Sequence, residues 1–169
     1  MPSGLRATLC ACTNLRRANR AVCRLYDQVL SPTGLKSTQF MMLQVIAESG
    51  QVAHCDLAAE FALSMETLSR RLASAREDGL LHMSLGERGK RIYSLTPKGR
   101  AVLSDAWPHW ERAQMRMHQA LGDLDWSELP RFTDRIAIAA ATAESLPIRN
   151  TVQSAEVVSG RFLQDISRQ

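Results

Sequence analysis

Apolar side chains recur at helical spacing from near the start of the chain. Cys12, Leu15, Val22, Tyr26 and Val29 fall on one face between Cys12 and Leu30, while Arg16, Arg17, Arg20 and Arg24 take the other. Ser31-Pro32-Thr33-Gly34 should stop that helix, because proline lacks a backbone donor and glycine accepts left-handed geometry. A second helix is expected from Ser37 or Thr38, either of which can cap it, to Ser49, with Gly50 as punctuation. Phe40, Leu43, Val45, Ile46 and Ala47 are its apolar positions. A short helix follows near Cys55–Phe61, Ala62-Leu63 breaks it, and Ser64 caps a further helix to about Asp78, closed by Gly79. Leu80 to Ser84 and Arg91 to Leu95 read as short strands around the charged tip Gly86-Glu87-Arg88-Gly89-Lys90. Thr96-Pro97 opens a helix to about Leu121, in which Pro108 should produce a kink or a break. A last helix, capped by Asp125 in a capping box with Glu128 or by Ser127, should reach Ser145.

This order predicts a mainly α chain with a small β-wing: a winged helix-turn-helix domain plus dimerisation helices from both termini. The expected divisions are an N-terminal dimerisation helix in 1–35 and the winged helix-turn-helix domain in 36–100. Dimerisation helices in 101–147 and a polar C-terminal extension in 148–169 complete it. A helix-turn-helix braces one helix with another so that the second can enter the major groove, roughly 12 Å wide. Here Leu57, Ala58 and Phe61 would face inward from the bracing helix, and Leu68, Leu72 and Ala75 from the reading helix. Ser64, Met65, Glu66, Thr67, Ser69, Arg70, Arg71 and Ser74 would then lie on or near the outer face. Hydroxyls and arginines of this kind bond base edges and phosphates. Arg88, Lys90 and Arg91 of the wing would reach a minor groove or phosphates beside it. The same arginines on a helix face can also be merely solvated; the order of parts, not periodicity, favours DNA.

Charge supports that choice through its distribution. The 169 residues carry a formal net charge of +4, but residues 64–100 hold eight Lys and Arg against four acids. Residues 1–35 are equally basic, and the two other segments are acidic. Polyanion binding is favoured by this layout. With 45% hydrophobic and 22% charged residues the chain should bury a real core under a polar surface. No apolar run approaches the roughly 18 residues of a membrane span and no secretion signal is evident, so a cytoplasmic protein without a membrane partner is expected. The four cysteines, Cys10, Cys12, Cys23 and Cys55, lack zinc-ribbon spacing, and His109 and His118 do not converge with them, so no metal is expected. No glycine-rich phosphate loop, nucleophile elbow or acid cluster is present, which argues against an enzyme, catalytic residues or a cofactor.

The string Leu57-Ala58-Ala59-Glu60-Phe61-Ala62-Leu63-Ser64, then Thr67-Leu68-Ser69-Arg70-Arg71-Leu72 and Asp78-Gly79-Leu80, resembles the MarR family of bacterial regulators. So do Glu87-Arg88 leading to Leu95-Thr96-Pro97-Lys98-Gly99-Arg100, and the stretch from Leu15 through Leu30-Ser31-Pro32-Thr33-Gly34-Leu35 to Thr38-Gln39-Phe40. The likeness covers roughly residues 12 to 145. It implies a triangular homodimer that binds pseudo-palindromic operators in double-stranded DNA and releases them to a small-molecule effector or an oxidant. Glu87-Arg88 stands where the family usually has Asp-Arg, and Gly89 replaces a position often basic.

Two features bear on the signal. The resemblance places Cys12 at the reactive cysteine of organic-hydroperoxide sensors, with Tyr26 at one of the partnering tyrosines; Arg16 and Ser37 stand where other tyrosines are expected. Cys12 is otherwise read as a small residue of the dimer interface. Phe40, Met41, Trp107 and Trp110, with His109 and Met117, would line a cleft for a phenolic ligand, or else form core. The other reading of the whole chain is a winged-helix protein–protein module, or antirepressor, that no longer reads DNA.

Overall fold

The computed structural model describes residues 10–122, 125 and 127–144. Helix α1 (Ala11–Leu30) ends in a tight turn, Ser31–Thr33, whose exit is Gly34 at φ +76°. Helix α2 (Ser37–Ser49) leads to a two-residue strand β1 (Val52–Ala53), then α3 (His54–Glu60) and α4 (Met65–Glu77). Strands β2 (Leu81–Leu85) and β3 (Arg91–Leu95) form the wing, followed by α5 (Pro97–Leu121) and α6 (Glu128–Glu144). The described chain up to Gly122 is one unit, and α6 belongs to a second. Among the described residues no helix is long and apolar enough to cross a membrane.

The sheet order is β1-β3-β2, antiparallel throughout. Leu81 pairs with Leu95 and Leu85 with Arg91, while Val52 and Ala53 pair with Tyr93 and Ile92. Strand β1 was not expected, because two residues are too few to show a period. Helices α2, α3 and α4 close over this sheet, and α1 and α2 pack on α5. The core gathers Leu30, Phe40, Leu43, Ile46, Leu57, Leu68, Leu72, Tyr93 and Leu103. Each lies at a position set by the helical stripes or by the inward face of β3.

Local details depart from the sequence expectation in two places. The residue before α2 is Lys36, not Ser37 or Thr38. Its N–H donates to Gln39 Oε1 at 3.0 Å, and the Ser37 N–H donates to Asp27 Oδ1 on α1 at 2.7 Å. Asp27 thus serves an orphan donor of α2 from outside it, a partner ten residues away that local rules do not see. Second, of the kink or break expected at Pro108, the break does not occur: α5 is one helix from Pro97 to Leu121. A proline costs one helical hydrogen bond, and here the flanking turns, anchored by the buried Leu103, Ala106 and Ala113, carry the helix through. At α6 the Asp125 carboxylate accepts from the Ser127 N–H at 2.9 Å, and the helix begins at Glu128. The predicted end at Ser145 and the extension 148–169 lie outside the described residues.

Candidate nucleic-acid interface

Helix α4 starts because Ser64, in extended geometry, turns its hydroxyl onto the Thr67 N–H at 3.2 Å. It stops because Gly79 adopts φ +72° and returns the chain toward β2. Leu68, Leu72 and Ala75 are buried against α3 and the sheet, as the stripe requires. The opposite face presents Glu66, Arg70, Arg71 and Ser74 to solvent, with Met65 half exposed at 48% and Thr67 partly covered. Arg70 Nη2 approaches Glu66 Oε1 at 3.9 Å one turn back, an exposed pair worth only a few tenths of a kcal/mol. Arg70 can therefore leave Glu66 for an anion at little cost.

Beside this face stands the wing. Arg88 occupies left-handed backbone, φ +55°, within the turn Glu87–Gly89, and Arg88, Lys90 and Arg91 are all exposed. The Gly86 N–H donates to the Lys90 carbonyl at 2.8 Å and closes the tip. A non-glycine residue at positive φ is strained, and strain of this kind often marks a functional position.

Ser69 sits at the margin of the outer face. It is half-buried, and its hydroxyl donates to the Met65 carbonyl at 2.8 Å while lying 3.1 Å from His54 Nε2. Because the hydroxyl proton is used on Met65, His54 must donate through Nε2, which leaves Nδ1 a bare acceptor. That Nδ1 is buried without a partner. His54 is 4% exposed and its ring tilts against Tyr93 at 5.9 Å. It joins α3 to α4 beneath the reading face, a role that no sequence signal announced.

Burial first, and the charge of Arg91 second, push the His54 pKa below its ordinary 6.5. A base whose pKa is lower folded than unfolded binds more protons unfolded, so stability falls as pH drops below about 6.5. Urea unfolding at pH 7.5 and pH 5.5 should show a loss that is smaller in His54→Gln. An equal loss in both proteins would remove His54 from the account.

The other candidate residues separate. Phe40 is fully buried, stacked on Trp110 at 5.8 Å and tilted to Trp107 at 6.0 Å. Met41, its neighbour, is 50% exposed on a different face. Of the four residues expected to line a cleft, Phe40 is core, Trp110 is half-buried, Trp107 is 37% exposed, and Met41 lies on a different face. An open groove of about 400 Å³ does adjoin Trp107, lined by Ala47, Leu95, Arg100, Leu103, Ser104 and Pro108. Cys12 is exposed, and Tyr26, about 21 Å farther along the same helix, donates its hydroxyl to Gln114 Oε1 on α5. Any Cys12–Tyr26 contact must therefore come from a second copy. Cys10, not Cys12, occupies the residue before α1. No formed cap bond reaches it, yet the Thr13 hydroxyl and then the Thr13 amide lie close enough to lower its thiol pKa. Among the described residues no three His, Cys, Asp or Glu side chains gather as a metal site would need.

No family model matches the chain, and no curated protein matches it. Solved structures do. The M. tuberculosis transcriptional regulator MosR in complex with DNA has a TM-score of 0.72 at 36% identity, covering 81% of this chain and 99% of that one. A second M. tuberculosis MosR structure gives 0.64 at 37%, covering 82% and 98%. A MarR-family transcriptional regulator from Rhodococcus sp. RHA1 shares the fold at 23% identity and TM-score 0.60, covering 73% and 87%.

Proposed function

Because the chain belongs to the MarR family of transcriptional regulators, we propose that it binds double-stranded DNA as a homodimer at a pseudo-palindromic operator. We read it as a repressor. The observation that carries the proposal is the exposed arginine face of α4 beside a wing that presents Arg88, Lys90 and Arg91. A reading helix braced from behind and flanked by cations supplies both base-edge donors and phosphate contacts.

A dimer is supported by apolar side chains left uncovered on helices that the DNA-reading module does not use. Leu15 and Val22 of α1 are exposed, as are Leu129, Phe132 and Ile138 of α6. Release by oxidation is favoured over a phenolic ligand, because Cys10 is an exposed thiol with a depressed pKa while Phe40 is buried in the core and Met41 lies on another face. Cys12, two residues on and also exposed, is the second thiol of that reading.

The test begins by selecting the best-bound duplex from a random library. Arg71→Ala and Arg88→Ala should each weaken binding to it by about 1–3 kcal/mol while the dimer persists in sedimentation. Affinity should fall steeply with salt. Peroxide should release the wild-type protein but not the Cys10→Ser, Cys12→Ser double variant. Failure of the library to yield any preferred sequence would sink the regulator reading and favour a protein-binding module. Release of the double variant by peroxide would end the thiol reading alone.

A further inference from the structure

The carboxyl end of α4 is tied down by the first turn of α5. Three consecutive carbonyls, those of Asp78, Gly79 and Leu80, are engaged there. Lys98 Nζ donates to the Asp78 carbonyl at 2.7 Å, and the Thr96 hydroxyl donates to the Gly79 carbonyl at 2.7 Å. The Thr96 N–H donates to the Leu80 carbonyl at 3.0 Å. The same Thr96 oxygen accepts from the Gly99 N–H at 2.9 Å, so one hydroxyl starts α5 and ends α4 together. A Cβ on Gly99 would lie 2.1 Å from the Leu80 oxygen, which is how closely the two backbones approach. The Lys98 stem passes over Gly79, 3.8 Å from where a Cβ there would sit.

We propose that Thr96 and Lys98 are positioning residues for DNA reading, fixing the attitude of α4 by holding the carbonyls of its cap residue Asp78 and of the exit Gly79-Leu80 against α5. This rests on the DNA-binding reading above. The carbonyl of the cap residue Asp78 has no partner inside the helix, and a cation such as Lys98 is favourable at that end of the helix dipole. A bond from an ammonium to a carbonyl is stronger than one between neutral groups. Ser64 holds the amino end of α4 and Lys98 and Thr96 the other, so the helix is pinned at both ends with its inward stripe between them. Base-edge contacts demand placement to within about 0.5 Å, whereas attraction to phosphates tolerates far more. Loosening one pin should therefore erode discrimination between sequences before it erodes attraction to DNA. Lys98 is not itself placed to read bases: Asp78 lies about 10 Å along the helix axis from Arg71, at the end remote from Ser64.

The experiment compares wild type, Lys98→Met, Thr96→Val and Thr96→Ser on the library-selected duplex and on a shuffled duplex of the same length. Lys98→Met keeps most of the stem and loses the donor. It should bind the selected duplex about tenfold more weakly, with shuffled-duplex affinity, salt slope, dimer and cooperative unfolding unchanged. Thr96→Ser should behave as wild type and Thr96→Val as Lys98→Met. Amide exchange without DNA gives an independent readout: the Leu80 N–H, bonded to the Ala75 carbonyl at 2.9 Å, should exchange faster in Lys98→Met. Equal losses on both duplexes with a salt slope lower by about one would make Lys98 a phosphate contact and overturn the proposal. Unchanged selected-duplex affinity, or unchanged Leu80 exchange, would overturn it too. Where wild type itself shows no preference between duplexes, the regulator reading fails, and the exchange rates still decide whether the tie exists.

Discussion

Gly99→Ala should destabilise the protein by about 2–3 kcal/mol, although alanine ordinarily gains about 1 kcal/mol over glycine inside a helix. The new Cβ would stand 2.1 Å from the Leu80 oxygen, 3.0 Å from its carbonyl carbon and 3.3 Å from its Cα. All three are backbone atoms, so no side chain can swing aside. Leu80 cannot retreat easily either. Its carbonyl takes the Thr96 N–H, and the next residue, Leu81, is in register with Leu95. Relief requires α5 to lift from the end of α4, which breaks the Thr96 bonds and opens the core around Leu103. Urea denaturation followed by tryptophan fluorescence measures the effect. A neutral or stabilising Gly99→Ala would show that the two backbones are not held at this distance. The substitution should also lower selected-duplex affinity more than shuffled-duplex affinity, since it disturbs the same junction as Lys98→Met from the other side.

Phe40→Ala should be the costliest single truncation, about 3–5 kcal/mol. The ring is fully buried, with Trp107 and Trp110 against it and Leu30, Leu43 and Ile46 in the same core. Removing it leaves a cavity that α2 and α5 cannot both close, because α2 is fixed at its start by Asp27 and at its end by Gly50. The experiment also separates two roles for the aromatic cluster. A residue lining a vacant ligand site contributes little to stability, so a loss below about 1 kcal/mol would return Phe40 to the wall of a pocket.

Much of the architecture was legible because its signals are local. The stripe Leu68, Leu72 and Ala75, the Ser64 cap, the Gly79 stop and the Thr96-Pro97 start each act within one or two turns. The structure has all of them. What escaped involves partners distant in sequence. Asp27 on the Ser37 N–H, His54 under Ser69 and Lys98 on the Asp78 carbonyl join residues 10, 15 and 20 positions apart. Periodicity placed Ser69 on or near the outer face, but it could not show that its hydroxyl folds back one turn onto the Met65 carbonyl. Phe40 and Met41 were grouped by type, yet one residue of helix turns the side chain by about 100°, and they part company. Strand β1 had no pattern to read, since Val52 and Ala53 are made a strand only by the exposed edge of β3.

Helix α5 has 25 residues, which at 1.5 Å per residue is about 37 Å. It behaves as a pointer whose tip carries the end of the reading helix. A tilt of about 5° about its far end moves that tip by about 3 Å, nearly the 3.4 Å between successive bases on one strand. In the proposed DNA complex, a deflection too small to disturb the core would therefore misplace the reading helix by about one step along the DNA. In the proposed homodimer, two copies deflecting in opposite senses would miss by two.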